Sequence, residues 1–192
     1  MTSNIVISGV GGQGLITLLQ IISQAGVDKG LDVKTSELHG LSQRGGSVSV
    51  HIRLGKKVYS PFVAKGTADL ILALEQQEVL RILDFSNKKT TILINQHQTP
   101  TLADSVSESQ IKNNLEKAGR RAVFVPATEI CKKELGNPVL SGMFLLSLAV
   151  CKKAIPLIAQ DIEKAIKEVM PKKFWEINIK AVNLAKQYAT RY

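Results

Sequence analysis

A stretch of ten residues near the start of the chain decides its fold: Ile5-Val6-Ile7-Ser8-Gly9-Val10-Gly11-Gly12-Gln13-Gly14. The apolar run 5–7 predicts a short buried strand, and the apolar residues after this stretch recur with helical spacing. Gly9, Gly11 and Gly14 have the spacing G-x-G-x-x-G, in which glycine permits a tight turn, close approach to a phosphate and close packing of helix on strand. The stretch predicts the start of an anion-binding βαβ unit, although a glycine turn needed only for packing would give the same pattern.

A second motif follows the next predicted strand, which covers Asp32 to Ser36. Glu37 lies near the end of that strand, where a dinucleotide dehydrogenase has the acidic residue that holds a ribose hydroxyl. The polar loop after it ends in Arg44-Gly45-Gly46, which combines a permanently charged donor fork with a backbone that leaves room for a ligand. We interpret this loop as a second anion-binding element; an Arg44 that pairs with Glu37 or caps backbone carbonyls is the structural alternative.

The rest of the chain predicts a hairpin and further α/β units. Alternation of apolar and polar residues over 47–54 predicts a strand with one solvent-exposed face, with His51 on that face and 57–62 as the hairpin partner. The region from about 128 to 192 is predicted to be helical. We therefore expect 1–192 to form a single α/β domain: a Rossmann-like, mainly parallel sheet with an inserted β-hairpin and a helical C-terminal part. Further strands are predicted at 70–74, 91–95 and 122–125.

Composition narrows the classes of function. The chain has 192 residues, no apolar run as long as a membrane span, and no signal-peptide pattern at its start, so we expect a cytoplasmic protein without a membrane partner. The net charge of +9 arises largely from basic pairs without an aromatic platform or helix-turn-helix spacing, which disfavours nucleic acid. The basic residues form either a solvated surface or a face that docks an acidic protein or an anionic cofactor. The pairs are Lys88-Lys89, Arg120-Arg121, Lys132-Lys133, Lys152-Lys153 and Lys172-Lys173.

The cysteines and histidines predict no metal site. Cys131 and Cys151 cannot supply the four thiolates of an iron–sulfur cluster or the usual ligands of a structural zinc. His39 and His51 have no third ligand in register. We assign no catalytic residue to the chain.

The motifs 9–14, 35–40 and 42–48, the last of which runs into the predicted hairpin, resemble the small (gamma-type) subunits of 2-oxoacid:ferredoxin oxidoreductases. Among these, the sequence is most similar to the beta subunit of indolepyruvate ferredoxin oxidoreductase. The likeness covers nearly the whole chain, since 135–138 and 178–181 also match the family's pattern. One departure is Gly142, where such subunits usually have Asn, and another is Leu146-Ser147 in place of a Leu-Gly pair.

This resemblance implies a multisubunit enzyme that converts a 2-oxoacid, coenzyme A and oxidised ferredoxin to an acyl-CoA, carbon dioxide and reduced ferredoxin. Thiamine diphosphate, magnesium and iron–sulfur clusters are expected in a large partner subunit, because this chain has neither the cysteines nor a Gly-Asp-Gly element for them. This chain would be inactive alone and would face coenzyme A. The residues expected to bind a cofactor are Gly9, Gly11, Gly12, Gln13, Gly14, Glu37, Arg44, Gly45 and Gly46.

Two other functions fit parts of the pattern. A free-standing Rossmann-type oxidoreductase would bind NAD or FAD by itself, with Glu37 on the ribose. A basic interaction module without chemistry would bind only a partner, and that binding would weaken with salt. Whichever function holds, the apolar helix predicted at 139–150 and the edge of the hairpin are surfaces through which the isolated chain could form a homodimer.

Overall fold

The computed structural model describes residues 2–40, 45–99 and 106–192. Apart from the strand predicted over 57–62, strands and helices occur in the predicted α/β order. The strands are β1 (Thr2–Val10), β2 (Asp32–His39), β3 (Ser47–Gly55), β4 (Leu70–Ala73), β5 (Thr91–Asn95) and β6 (Val123–Val125). The helices are α1 (Leu15–Asp28), α2 (Val79–Ile82), α3 (Glu108–Lys117), α4 (Ala127–Leu135), α5 (Ser141–Cys151), α6 (Ala159–Val169) and α7 (Trp175–Tyr188).

The six strands form one sheet in the order β2-β3-β1-β4-β5-β6. Strands β1, β4, β5 and β6 pair in parallel, whereas β3 is antiparallel to both of its neighbours, β1 and β2. Strand β3 is thus reversed relative to the other five. The predicted fold class, a mainly parallel α/β sheet with an inserted hairpin and a helical C-terminal part, is confirmed.

The inserted hairpin is formed by other strands than those predicted. Strand β3 pairs with β2, from Asp32 opposite Gly55 to His39 opposite Val48, and residues 57–62 form no strand. Because β1 and β2 occupy both edges of β3, no edge is free to receive a third strand. The segment after β3 instead returns across one face of the sheet.

His51 lies on the face that this segment covers, so its predicted solvent exposure is wrong. Its side chain is 1% exposed, and its Nδ1 accepts a hydrogen bond from the backbone N–H of Val63 at 3.2 Å. The rings of Phe62 and Phe85 meet it edge-on, with centroid distances of 6.1 and 4.8 Å. Burial lowers the pKa of His51 below its ordinary value.

Different helices cover the two faces of the sheet. Helices α1 and α4 to α7 contribute to the larger apolar core on one face, and α2 and α3 cover the other face. Helix α5 is buried from Gly142 to Val150, as its uniformly apolar sequence predicts. The same burial removes α5 from the surfaces available for a homodimer. In the described parts of the chain, none of the helices has the length and apolar character needed to cross a membrane.

Candidate functional site

The predicted glycine turn connects β1 to α1. Gly12 and Gly14 have φ angles of 104° and 81°, in the left-handed region that only glycine adopts freely, so the turn depends on them. Gly14 is the N-terminal cap of α1, and its carbonyl accepts the backbone N–H of Leu18 at 3.1 Å. The first N–H groups of α1 therefore lie next to the turn without partners in the helix.

Gly9 is needed for a different reason, close packing around Gln13. A Cβ atom at position 9 would lie 2.6 Å from Gln13 Oε1 and 3.1 Å from the Cβ of Leu74. Gln13 Oε1 accepts the backbone N–H of Val10 at 2.8 Å, and its Nε2 donates to Glu75 Oε2 at 3.1 Å. The side chain of Gln13 is thus fixed at both ends, and its amide donor binds a protein carboxylate.

Glu75 was not among the predicted site residues. It follows the end of β4, is fully buried, and accepts hydrogen bonds from the backbone N–H and the hydroxyl of Thr99 at 3.0 and 2.8 Å. Together with the bond from Gln13, these contacts connect the glycine turn to the segment after β5. The signal in the sequence is its position as the first charged residue after a buried strand, at the edge of the sheet where ligands bind.

The second motif contacts the first, since Ser47 and Val48 pair with Val10 and Gly9 in the sheet. The backbone N–H of Gly11 donates to the carbonyl of Gly46 at 2.9 Å, so the turn after β1 and the loop before β3 lie together. Gly45 is exposed beside this contact. Arg44 lies outside the described residues. Glu37 is exposed on the edge strand β2, and β3 lies between β2 and β1, so the structure does not bring Glu37 to the glycine turn.

A cavity of about 240 Å³ lies beside the glycine turn, at the carboxyl ends of the parallel strands. Its position follows from the topology. Helix α1 leaves β1 toward one face of the sheet, and α2 leaves the neighbouring β4 toward the other. Such a switch point opens a crevice in which α/β proteins bind ligands. The lining residues are Gly12, Gln13, Leu74, Asn95, His97, Thr128, Pro138, Val139 and Ser141.

Asn95 holds the start of α4 at this cavity. Its buried side chain accepts the backbone N–H of Thr128 at 3.2 Å and donates to the Thr128 hydroxyl at 2.8 Å and to the Leu74 carbonyl at 3.1 Å. Ser141, at the start of α5, lies across the cavity. The first turns of α1 and α4 and the 3-10 turn Pro138–Leu140 that leads into α5 thus converge here, and the partial positive charge at each favours an anion.

A second cavity of about 240 Å³ adjoins the first and shares Gln13 and Val139 with it. Its lining is mostly apolar and comes from α1, α5 and the start of α7. Two large apolar side chains of its lining are exposed, Val139 by 72% and Phe174 by 42%. An exposed apolar cluster of this kind is typical of a surface that a partner covers.

Gly142, at the departure from the family pattern, packs against α1 and β4. A Cβ atom at this position would lie 3.1 Å from Leu18 Cδ1 and 3.5 Å from Leu74 Cδ1. Gly142 therefore allows α5 to pack closely on α1, whereas a larger residue would push the two helices apart.

The two thiols do not form a reactive site. Burial raises the pKa of Cys131 to about 12 and also raises the pKa of Cys151, so that both thiols stay protonated at neutral pH. Within residues 2–40, 45–99 and 106–192, no group of three or more His, Cys, Asp and Glu side chains is arranged to hold a metal ion.

Comparison with known proteins identifies the family to which this chain is similar. The family described as pyruvate ferredoxin/flavodoxin oxidoreductase matches residues 4–188. The gamma subunit of a keto/oxoacid ferredoxin oxidoreductase from Geobacter sulfurreducens has a similar structure, with a TM-score of 0.73 at 20% identity over 99% of both chains. A 2-oxoglutarate:ferredoxin oxidoreductase from Magnetococcus marinus matches all of this chain with 31% of its own, with a TM-score of 0.75 at 18% identity.

The chain therefore belongs to the pyruvate ferredoxin/flavodoxin oxidoreductase family. A curated relative, the indolepyruvate oxidoreductase subunit IorB of Archaeoglobus fulgidus, is 36% identical over 190 residues, which cover 96% of this chain and 94% of the relative. The resemblance inferred from the motifs is confirmed, including its similarity to the indolepyruvate enzymes.

Proposed function

We propose that this chain is the cluster-free small subunit of an enzyme that oxidises indolepyruvate or another aryl pyruvate. In the proposed reaction the 2-oxoacid and coenzyme A become an acyl-CoA and carbon dioxide, and the electrons pass to ferredoxin. The aryl substrate is supported by the 36% identity to a subunit of indolepyruvate oxidoreductase over nearly the full length of both chains. We also propose that 1–192 acts as a single gamma-type domain.

The thiamine diphosphate, magnesium and iron–sulfur clusters of such an enzyme are proposed to lie in the large partner subunit. When bound there, thiamine diphosphate stabilises the carbanion left by decarboxylation, and the clusters remove electrons. The residues of this chain do not fit a cluster, because it has two cysteines, and Cys131 is a buried thiol with a raised pKa.

Coenzyme A is the ligand that we propose for the cavity between the glycine turn and the starts of α4 and α5. The observation that carries this proposal is the convergence of the starts of α1, α4 and the 3-10 turn before α5 on one switch-point cavity. The backbone N–H groups of Gly12 and Gly14 and the hydroxyls of Thr128 and Ser141 would hold phosphate oxygens. The Magnetococcus marinus enzyme with a similar fold was solved with coenzyme A bound, which supports this choice.

The remaining predicted ligands have unequal support. Gly46 touches the glycine turn and fits the proposal. Arg44 remains a proposed phosphate ligand on the evidence of the sequence. Glu37 fits the coenzyme A proposal poorly, because it lies on the exposed edge strand β2. A free-standing NAD-dependent enzyme would need Glu37 beside the glycine turn to bind the ribose, so this alternative has less support.

We further propose that the large subunit covers the exposed apolar cluster of Val139 and Phe174. These side chains lie beside the proposed coenzyme A cavity, and permanent subunit interfaces are built around apolar cores.

The test is the effect of Ser141→Ala on the complex reconstituted with the large subunit. If Ser141 donates to a phosphate, its removal should raise the KM for coenzyme A about tenfold, the loss of roughly 1.5 kcal/mol for a hydrogen bond to a charged group. The KM for the 2-oxoacid should not change. Ser109→Ala, on the exposed helix α3, is the matched control. An unchanged KM for coenzyme A would remove Ser141 from the site.

A further inference from the structure

The segment that follows β5 places a histidine in the wall of the proposed coenzyme A cavity. His97 lies just after the end of β5, at the carboxyl ends of the parallel strands. Its backbone N–H donates to the carbonyl of Asn95 at 2.7 Å, and its carbonyl accepts the N–H of Gln76 at 3.1 Å. The imidazole is therefore attached to a fixed backbone beside the cavity.

His97 is the only ionisable side chain among the described residues that line this cavity. The other lining residues are apolar, glycine or uncharged polar, and none of them is lysine or arginine. Coenzyme A carries negative charges on its diphosphate and on its 3′-phosphate. Among the described lining residues, a protonated His97 would therefore be the one full positive charge that such a ligand meets.

The charged groups around His97 leave its imidazole available. Three carboxylates lie on the neighbouring elements, namely Glu75 after β4, Glu108 on α3 and Glu129 on α4. Glu75 is held by the donors described above, Glu108 pairs with Lys112 at 2.6 Å, and Glu129 is exposed. None of the three lies within 4.0 Å of an imidazole nitrogen, and the imidazole forms no hydrogen bond with the described residues.

We propose that the protonated imidazole of His97 binds the diphosphate of coenzyme A. This inference rests on the proposed function, which puts coenzyme A in this cavity. The diphosphate is chosen because a glycine turn before a helix binds such a group through backbone N–H groups, and Gly12 of the turn lines the same cavity as His97. A hydrogen bond from a charged donor to a phosphate oxygen is stronger than one between neutral groups.

The proposal predicts that the KM for coenzyme A depends on pH. Histidine is the side chain that ordinarily changes its charge between pH 5 and 8, and only its charged form attracts a phosphate as a cation. The KM should therefore be low at acidic pH and rise as pH passes through the neutral range. A histidine that took the proton of the coenzyme A thiol would act in its neutral form, and its loss would lower kcat.

The test uses the complex reconstituted with the large subunit and compares three variants. His97→Gln removes the charge and keeps a hydrogen-bond donor, whereas His97→Lys keeps a positive charge at every pH used. His39→Gln is the matched control, because His39 is exposed on β2. The KM for coenzyme A and kcat are measured from about pH 6 to about pH 8.5. Each variant is compared with the unaltered complex at the same pH, which cancels the titration of coenzyme A itself.

We expect His97→Gln to raise the KM for coenzyme A about tenfold at about pH 6 and less than about twofold at about pH 8.5, with kcat unchanged. His97→Lys should keep a low KM at both ends of this range, and His39→Gln should match the unaltered complex. The same differences should appear with 3′-dephospho-coenzyme A, which retains the diphosphate.

An equal KM for His97→Gln and the unaltered complex at every pH would overturn the proposal. An effect confined to kcat, or one that disappears with 3′-dephospho-coenzyme A, would overturn it as well. Ser141→Ala distinguishes these results from a failure of the proposed function. If Ser141→Ala raises the KM for coenzyme A and His97→Gln does not, coenzyme A binds in the cavity without His97. If neither variant raises it, the cavity is not the coenzyme A site and both proposals fail.

Discussion

At the scale of single residues, the glycine turn combines two different requirements. Position 9 requires glycine because of close packing, since a Cβ atom there would meet Gln13 and Leu74. Position 14 favours glycine because of its backbone conformation, since its φ is 81°. Packing does not require glycine there, because a Cβ atom would have no heavy atom within 4 Å. A side chain at position 14 therefore has space, and its effect depends on backbone strain and on charge.

This distinction gives a prediction for Gly14→Asp, with Gly14→Asn as the matched control. Asn and Asp have nearly the same shape and tolerate the left-handed region better than other side chains, at a cost of about 1 kcal/mol. Only Asp adds a negative charge beside a bound phosphate. We expect both variants to melt at similar temperatures, and the KM for coenzyme A of the reconstituted complex to rise much more in Gly14→Asp.

Equal KM values for coenzyme A in the two variants would show that no anion binds at this turn. A large and equal loss of melting temperature in both would show that the conformation of the turn is its main contribution.

At the scale of elements, His51 links β3 to the segment that covers it. The imidazole accepts the Val63 N–H through Nδ1, and its Nε2 is buried without a hydrogen-bond partner among the described residues. Protonation would remove the acceptor and place a charge between two aromatic rings. The contact therefore requires the neutral form, in agreement with the lowered pKa.

This contact predicts a dependence of stability on pH. Because the pKa of His51 is lower in the folded state, the unfolded chain binds more protons as pH falls below about 6.5, the ordinary value. The stabilisation is present above that pH and is lost as pH falls through the folded-state pKa. Denaturant unfolding at pH 8 and pH 5.5 should show a smaller decrease in the free energy of unfolding for His51→Gln than for the unaltered protein.

His39→Gln is the control for this measurement, since His39 is exposed on β2. It should keep the pH dependence of the unaltered protein. If His51→Gln were equally sensitive to pH, other groups would carry the effect.

At the scale of the whole molecule, the two ends of the sheet have different characters. The carboxyl ends of the strands carry the cavity and the exposed apolar cluster, whereas Arg121 and Lys152 line a polar cleft at the amino ends of β5 and β6. Helix α5 spans this distance, with Ser141 at the cavity and Lys152 after its other end. One end of the subunit thus has the features that we propose for a cofactor and a permanent partner.

The prediction at this scale concerns the isolated chain. Purified anaerobically, it should be colourless, contain no stoichiometric iron and show no 2-oxoacid-dependent reduction of a viologen dye, because its two cysteines cannot hold a cluster. Addition of the large subunit should restore the activity. Stoichiometric iron together with activity in the isolated chain would contradict the assignment as a cluster-free subunit.

The order of strands and helices, the glycine turn and the family could be predicted from the sequence alone. These features depend on local patterns: the apolar run before Gly9, the glycine spacing, and the helical periodicity of the last third. A buried helix such as α5 could also be recognised, because apolar residues surround it on all sides.

The tertiary structure alone decided which distant segments meet. Four features depend on residues that are far apart in the chain. Strand β3 pairs with β2 instead of 57–62, and His51 is buried. Glu75 contacts Thr99, and Arg121 and Lys152 line one cleft. Alternation along a strand gives its two faces but not what covers them, so His51 was expected in solvent. Contacts between residues far apart are fixed by the packing of the whole sheet and its helices, and a single sequence records them only indirectly.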